Sequence, residues 1–323
     1  MLLPKLRALF NPEMYHGWGR QKNYFEGWYY KVVSENGKHA MAIIPGIAMD
    51  ADGNRQAFIQ ILDGKDCSSE YHKFPISDFN ANLQKFEVTI GKNRFSIDSL
   101  DLNLETIKGQ LSFDRLQPWP STWYSPGIMG PYSFVPFMEC YHGVLSLDHD
   151  IKGSLFWRNQ WVEFTGGRGY MEKDWGHSFP SAYVWMQSNH FQEKHISAKI
   201  SVAKIPWLTG SFVGFIGGLW IKNQLIAFTT YNGSRLLSCS IHQDKVEITI
   251  KKGLLLLYVT ANRPDATELA SPIQGFMDGR IEESMTATLT IRLENTDSGE
   301  IVFEGEGVHS GIEVAGNISE IIL

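Results

Sequence analysis

Two stretches of the chain set carboxylates among aromatic rings: "YFEGWYYKV" at 24–32 and "GRGYMEKDWGHSFPSAYVWMQSN" at 167–189. Side chains alternate along an extended strand, so Glu26, Trp28 and Tyr30 share one face. Tyr170, Glu172 and Asp174 share another, with Met171, Lys173 and Trp175 opposite them, and Trp185 and Gln187 lie together on a later strand. A carboxyl enclosed against indole rings loses hydration, which raises its pKa and lets it stay protonated as a general acid. The same ring faces stabilise a carbocation through their quadrupole. Glu26, Glu172 and Asp174 are therefore the candidate acids. A plainer reading makes Trp28, Trp175 and Trp185 core residues. It pairs Glu26 with Lys31 or Arg20, and Glu172 and Asp174 with Lys173 or Arg168 on a solvated edge.

Other chemistries find little support. The ten histidines contain no His-x-x-x-His or Cys/His grouping, so no structural zinc site is expected. His142, His149, His177, His190 and His195 are scattered and read as surface or core singles. "TGGRGY" lacks the helix-opening context of a nucleotide fingerprint, and no Gly-x-Ser-x-Gly elbow occurs.

The elements that must carry these residues are strands. "HAMAIIPGIAM", "QAFIQIL", "FEVTIG", "YHGVLSL", "HISAKISVA", "KVEITI" and "ATLTIRL" are short β segments separated by turn signals such as Glu35-Asn36-Gly37, Asp52-Gly53-Asn54 and Lys222-Asn223. Such spacing gives antiparallel meanders, and a long meander hides its edges by closing into a barrel, with room inside for a small apolar guest. Short helices are expected only near the N-terminus and near "PIQGFMDGRIEES". The Pro-rich "QPWPSTWYSPGIMGPYSFVPF" reads as a long ordered loop or lid. Phe164 and Phe303 open similar Phe-x-Gly segments about a domain's length apart. The expectation is an all-β chain of two antiparallel barrel or sandwich domains arising from duplication, 1–176 and 177–323; the alternative is one continuous sandwich. Gly27-Trp28-Tyr29 is similar to the Gly-x-Trp region of lipocalins, where the Trp plugs the barrel base.

Composition narrows the function classes. With a net charge of −6 and no basic stripe, the chain is not expected to bind nucleic acid. Cys67, Cys140 and Cys239 form no disulfide framework, which points to a reducing, cytoplasmic location. "FVGFIGGLWIKNQLIAF" is broken by Lys222, Asn223 and Gln224 and reads as a hairpin rather than a membrane span.

At "YHGWGRQKNYFEGWYYKVV" and "WVEFTGGRGYMEKDWGHSFPSAYVWMQSN" the chain resembles the tocopherol cyclase family, with more distant similarity to carotenoid hydratases and other proteins of two lipocalin-like barrels. The resemblance implies cofactor-free cyclisation of a prenylated hydroquinone to a chromanol: a proton adds to the prenyl double bond, and the phenol oxygen closes on the tertiary cation. On that reading Trp28, Trp175 and Trp185 stabilise the cation, while Tyr29, Tyr30, Lys173, Gln187 and Asn189 orient the oxygen. The alternatives are a hydratase, in which water captures the same cation, and a non-catalytic carrier of a hydrophobic isoprenoid. The plant pattern has Asn where this chain has Asp174, and no plastid leader is visible, as expected of a mature form or of a bacterial homologue. The partner expected is a hydrophobic small molecule, with peripheral membrane contact through the Pro-rich loop.

Overall fold

The computed structural model describes residues 2–242, 244–263 and 266–323. The chain forms two compact units, Met1–Phe179 with Leu269–Arg280, and Pro180–Glu268 with Ile281–Leu323. Nothing in the sequence had signalled the return of Leu269–Arg280 to the first unit.

In the first unit a short helix, α1 (Leu2–Phe10), precedes twelve strands. They are β1 (Tyr24–Val33), β2 (Ala40–Met49), β3 (Arg55–Asp63), β4 (Ser68–Pro75), β5 (Phe79–Ala81), β6 (Glu87–Ile90), β7 (Asn93–Ser96), β8 (Ser99–Asn103), β9 (Ile107–Asp114), β10 (Cys140–Trp157), β11 (Gln160–Glu163) and β12 (Arg168–Gly176). The sheet runs β4-β3-β2-β1-β12-β10-β9-β8-β7-β6-β5, with β11 paired to β10. Alternate residues of strands from both ends of this path, among them Ile59, Trp28, Met171, Leu155, Phe95 and Val88, meet in one core. A single sheet can do that only by curling round it as a barrel. Strand β4 alternates half-buried and exposed residues as an edge should, whereas β1 is buried almost throughout. Trp28, fully buried and stacked on Phe86 at 5.6 Å, is a core residue. Burying such a ring contributes about 2–3 kcal/mol.

The second unit is built on an eleven-stranded sheet with its own core, including Val184, Ile200, Phe228, Ile248 and Leu289. Its path begins Gln224–Thr229, Gly210–Ile221, Ser197–Trp207, Ala182–Ser188 and continues through Ile301–Gly316. The expected hairpin at Lys222-Asn223 is present, and both turn residues adopt the positive φ (50° and 59°) that a two-residue hairpin turn requires. The helix expected over "PIQGFMDGRIEES" is absent. Thr267–Ile273 pairs with the long strand Phe276–Asn295 instead, and Gly275 takes a φ of +86° at the turn. Ile273 before that glycine and Phe276 after it prefer the pleated backbone, and the local helical spacing is overridden.

The long loop between β9 and β10 is ordered. Trp119, Ile128, Met129 and Met138 anchor it as buried residues, and a short 3-10 turn spans Gly130–Phe134. No helix among the described residues is long and apolar enough to cross a membrane.

Candidate active site

The two acid-and-aromatic stretches become neighbouring antiparallel strands. Strand β1 pairs with β12 so that Glu26 faces Trp175, Trp28 faces Lys173 and Tyr29 faces Glu172. Strand β10 flanks β12 on its other side and sets His142 beside Asp174 and Gly143 beside Lys173. The expected alternation then divides the candidates between the two faces of one strand.

On the barrel-facing side, Glu26 and Lys173 are both fully buried, with Lys173 Nζ 2.6 Å from Glu26 Oε1. The carboxylate also accepts the backbone N–H groups of His16 (2.9 Å) and Gly17 (3.0 Å) and the hydroxyl of Tyr24 (2.6 Å). The ammonium shares its three N–H groups among Glu26, the Pro12 carbonyl (3.0 Å), the Met14 carbonyl and His16 Nδ1 (2.7 Å). It also lies 4.6 Å from the Trp175 ring centre and 4.9 Å from that of Trp28. Burial pushes the Glu26 carboxyl upward, but the Lys173 ammonium beside it outweighs this and leaves the pKa below its ordinary value. Burial lowers Lys173 to about 8 despite the carboxylate. Glu26 is therefore an anion locked into an ion pair, which corrects its assignment as a protonated acid. Its partner is neither Lys31 nor Arg20. Gly143 makes this arrangement possible, because a Cβ there would stand 2.9 Å from Pro12 Cβ.

On the opposite face, His142 Nδ1 is 2.7 Å from Asp174 Oδ1 and Nε2 is 3.3 Å from Glu172 Oε2. Tyr170 donates its hydroxyl to Glu172 Oε2, and Cys140 Sγ lies 3.9 Å from Asp174 Oδ1. Neither acid pairs with Arg168, which binds Asp148 at 2.6 Å. His142 Nδ1 is within hydrogen-bond reach of Asp174 Oδ1, so His142 and Asp174 can share a proton, while Glu172 stands at ion-pair distance from Nε2. These three residues also each present a donor atom within 4.8 Å of the others, a spacing that fits a divalent cation.

A cleft of about 620 Å³ opens in this unit. Helix α1, the residues after it, the long loop and the start of β10 line it with Leu9, Pro12, Phe134, Phe137 and Met138. Its polar lining includes Lys5, His16, Arg20, Asn23, His142 and His177. Three rings stack along it: His16 on Trp175 (4.1 Å between centres, 16° between planes) and Trp175 on Tyr141 (5.5 Å, 9°). Burial, reinforced by Lys173, lowers the His16 pKa to about 4, so the ring is neutral. Because Lys173 donates to Nδ1, the ring proton sits on Nε2.

The remaining sequence-derived candidates are distributed more widely. Trp28 and Tyr30 lie in the core, the Trp28 indole N–H bonded to the Glu13 carbonyl and the Tyr30 hydroxyl to the Ser96 carbonyl. Tyr29 is buried on the face shared with Glu172. Trp185, Gln187 and Asn189 belong to the second unit, where Trp185 packs over Gly311 and Asn189 bonds His190. The sequence reading missed His16, Tyr141 and His142, and it treated His142 as a single. Their positions follow from β10 pairing with β12, which no local pattern announces. Glu139 was also missed; burial pushes its carboxyl upward.

These features define a two-barrel β protein with an aromatic cleft next to a histidine–carboxylate cluster. The profile of the tocopherol cyclase-like family matches residues 104–316, and the chain belongs to that family. The matched segment contains "EKDWG" but begins after "YFEGWYYKV". No curated protein matches the sequence. Among solved structures, CghA bound to Sch210972 is similar at a TM-score of 0.56 and 9% identity, over 91% of this chain and 89% of that one. A protein described as AttH from Nitrosomonas europaea is similar at 0.55 and 14%, over 90% and 92%. At these identities the likeness speaks for the fold.

Proposed function

We propose that the chain is a cofactor-independent cyclase that closes a prenylated hydroquinone to a chromanol in the first unit's cleft. The observation that carries this reading is the Tyr141–Trp175–His16 stack beside His142, Asp174 and Glu172. Electron-rich faces and a proton-sharing group then line one apolar opening, whose volume suits a drug-sized ring system. In the proposed reaction the His142 trio gives a proton to the less substituted carbon of the prenyl double bond. The tertiary cation forms against the ring of Tyr141 at the end of the stack. The phenol oxygen, held by the His16 Nε2–H, bonds to it, and the phenolic proton returns to the trio. Atoms and charge balance without an oxidant. Glu26 and Lys173 act as positioning residues that hold the tautomer of His16.

The test is incubation of purified protein with prenylated hydroquinones of several chain lengths, followed by mass analysis. Cyclisation gives a product of unchanged mass, and Asp174→Asn is expected to slow it by roughly a hundredfold. A product heavier by one water would make the protein a hydratase. Recovery of unaltered quinol bound to the protein would make it a carrier.

A further inference from the structure

Around the mouth of the cleft the surface is unusually apolar. Helix α1 turns Leu3, Leu6 and Phe10 outward at i, i+3 and i+7, a single stripe, and Leu3 is 80% exposed. A helix in a folded unit normally buries such a stripe. Here Arg7 reaches back to the Leu83 and Gln84 carbonyls and Ala8 is buried, so the helix is attached by another side. The adjacent loop repeats the pattern. Trp123 (80% exposed) and Tyr124 (58%) sit at the tip of the tight Thr122–Ser125 turn, and Phe134 and Phe137 are also exposed. Its buried anchors fix this display, and Phe10 packs edge-on against Phe134 at 6.1 Å, joining helix and loop into one patch. The charges are one-sided. Helix α1 carries Lys5 and Arg7 and no acid, and residues 116–138 carry no charged side chain, in a chain whose net charge is −6.

We propose that helix α1 and the 116–138 loop form a docking surface for a lipid bilayer with anionic headgroups, so that the cleft opens onto the membrane. Trp and Tyr at the tip match the headgroup level of a bilayer, where an apolar ring with a polar edge is best accommodated. The Leu3–Leu6–Phe10 stripe enters the acyl boundary while Lys5 meets lipid phosphate. Since Leu9, Phe134 and Phe137 line the cleft, the docked face is also its entrance. The proposed mode is peripheral; no helix among the described residues is long and apolar enough to span a bilayer. The surface is independent of what reaction, if any, the cleft performs.

The test is flotation of the full chain with vesicles of phosphatidylcholine alone and of phosphatidylcholine with phosphatidylglycerol. The protein is expected to float with the anionic vesicles, with a blue shift of tryptophan emission that Trp123→Phe diminishes. The double variant Leu6→Ser/Trp123→Ser, whose side chains lie outside the cleft lining, is expected to lower bound protein by roughly tenfold or more with unchanged thermal unfolding. High salt is expected to release the wild-type protein in part. Protein left at the bottom of the gradient with both vesicle types would overturn the proposal. So would equal flotation of the double variant, or a dimer in sedimentation that the same substitutions dissolve and that does not float.

Discussion

The two faces of β12 carry opposite kinds of charge network within four residues. On the barrel side, Lys173 meets Glu26 in a fully buried pair whose protons and lone pairs are satisfied by Pro12, Met14, His16, Gly17 and Tyr24. On the other side, Asp174 keeps 22% of its side chain exposed and shares His142 with Glu172, and His142 reaches the cleft. The first network is saturated. A proton taken from it would leave an unpaired charge in an apolar interior, so it holds shape rather than moving protons. The second opens to solvent and to the cleft. An acid next to a tryptophan in sequence can thus be a strut or a proton donor, and the difference lies in how many donors close round it.

The sharpest way to break this contrast is Lys173→Met. It strands the Glu26 carboxylate, and the expected loss is about 3–5 kcal/mol in denaturant unfolding. Adding Glu26→Gln should recover part of it. A loss under about 1 kcal/mol would mean that the barrel-side pair is no strut.

Acid is expected to act through the same side. The unfolded His16 ring takes a proton near pH 6.5, but the folded ring takes one only near 4. Between those values the unfolded chain binds more protons, so stability falls as pH drops through the window and levels off below it. For His16 the full fall is about 3 kcal/mol. His149, lowered to about 3 by burial and by Arg168, steepens the same slope, and Glu26 extends it below pH 4.5. His16→Gln should flatten the unfolding curve between pH 6.5 and 4; an unchanged slope would remove His16 from this account.

Asp174→Asn sharpens the comparison from the other face. Its roughly hundredfold effect is expected on turnover, with unfolding free energy kept within about 1 kcal/mol of wild type. Stability and activity falling together would erase the distinction between the faces. The smallest effect is expected from Tyr24→Phe. It deletes one charge-assisted bond to Glu26 at a cost of about 1.5–3 kcal/mol and leaves the product pattern untouched.

Much of the fold was legible because β alternation is local. The faces assigned to Glu26, Trp28, Tyr30, Lys173, Glu172 and Asp174 hold in the structure, and so does the Lys222-Asn223 hairpin. The site was less legible because its members are joined by strand order. That β12 lies between β1 and β10, bringing His142 to Asp174 and Lys173 to Glu26, is a long-range pairing without a sequence signature. The raised pKa expected for Glu26 failed for the same reason. Desolvation could be anticipated from the flanking rings, but the ammonium that reverses it arrives from 147 positions away in the chain. The helix expected near residue 272 failed because a strand partner at Phe276–Asn295 outweighed local spacing.

The bonds from Lys173 to the Pro12 and Met14 carbonyls also set an order of assembly. A ribosome releases the N-terminal segment first, yet its anchor is made some 160 residues later. Until β12 emerges, residues 11–17 have no ammonium to hold them and the Glu26 carboxylate is better left in water. The beginning of the chain is thus among the last parts of its barrel to lock, and the entrance to the cleft is finished only when the barrel wall is complete.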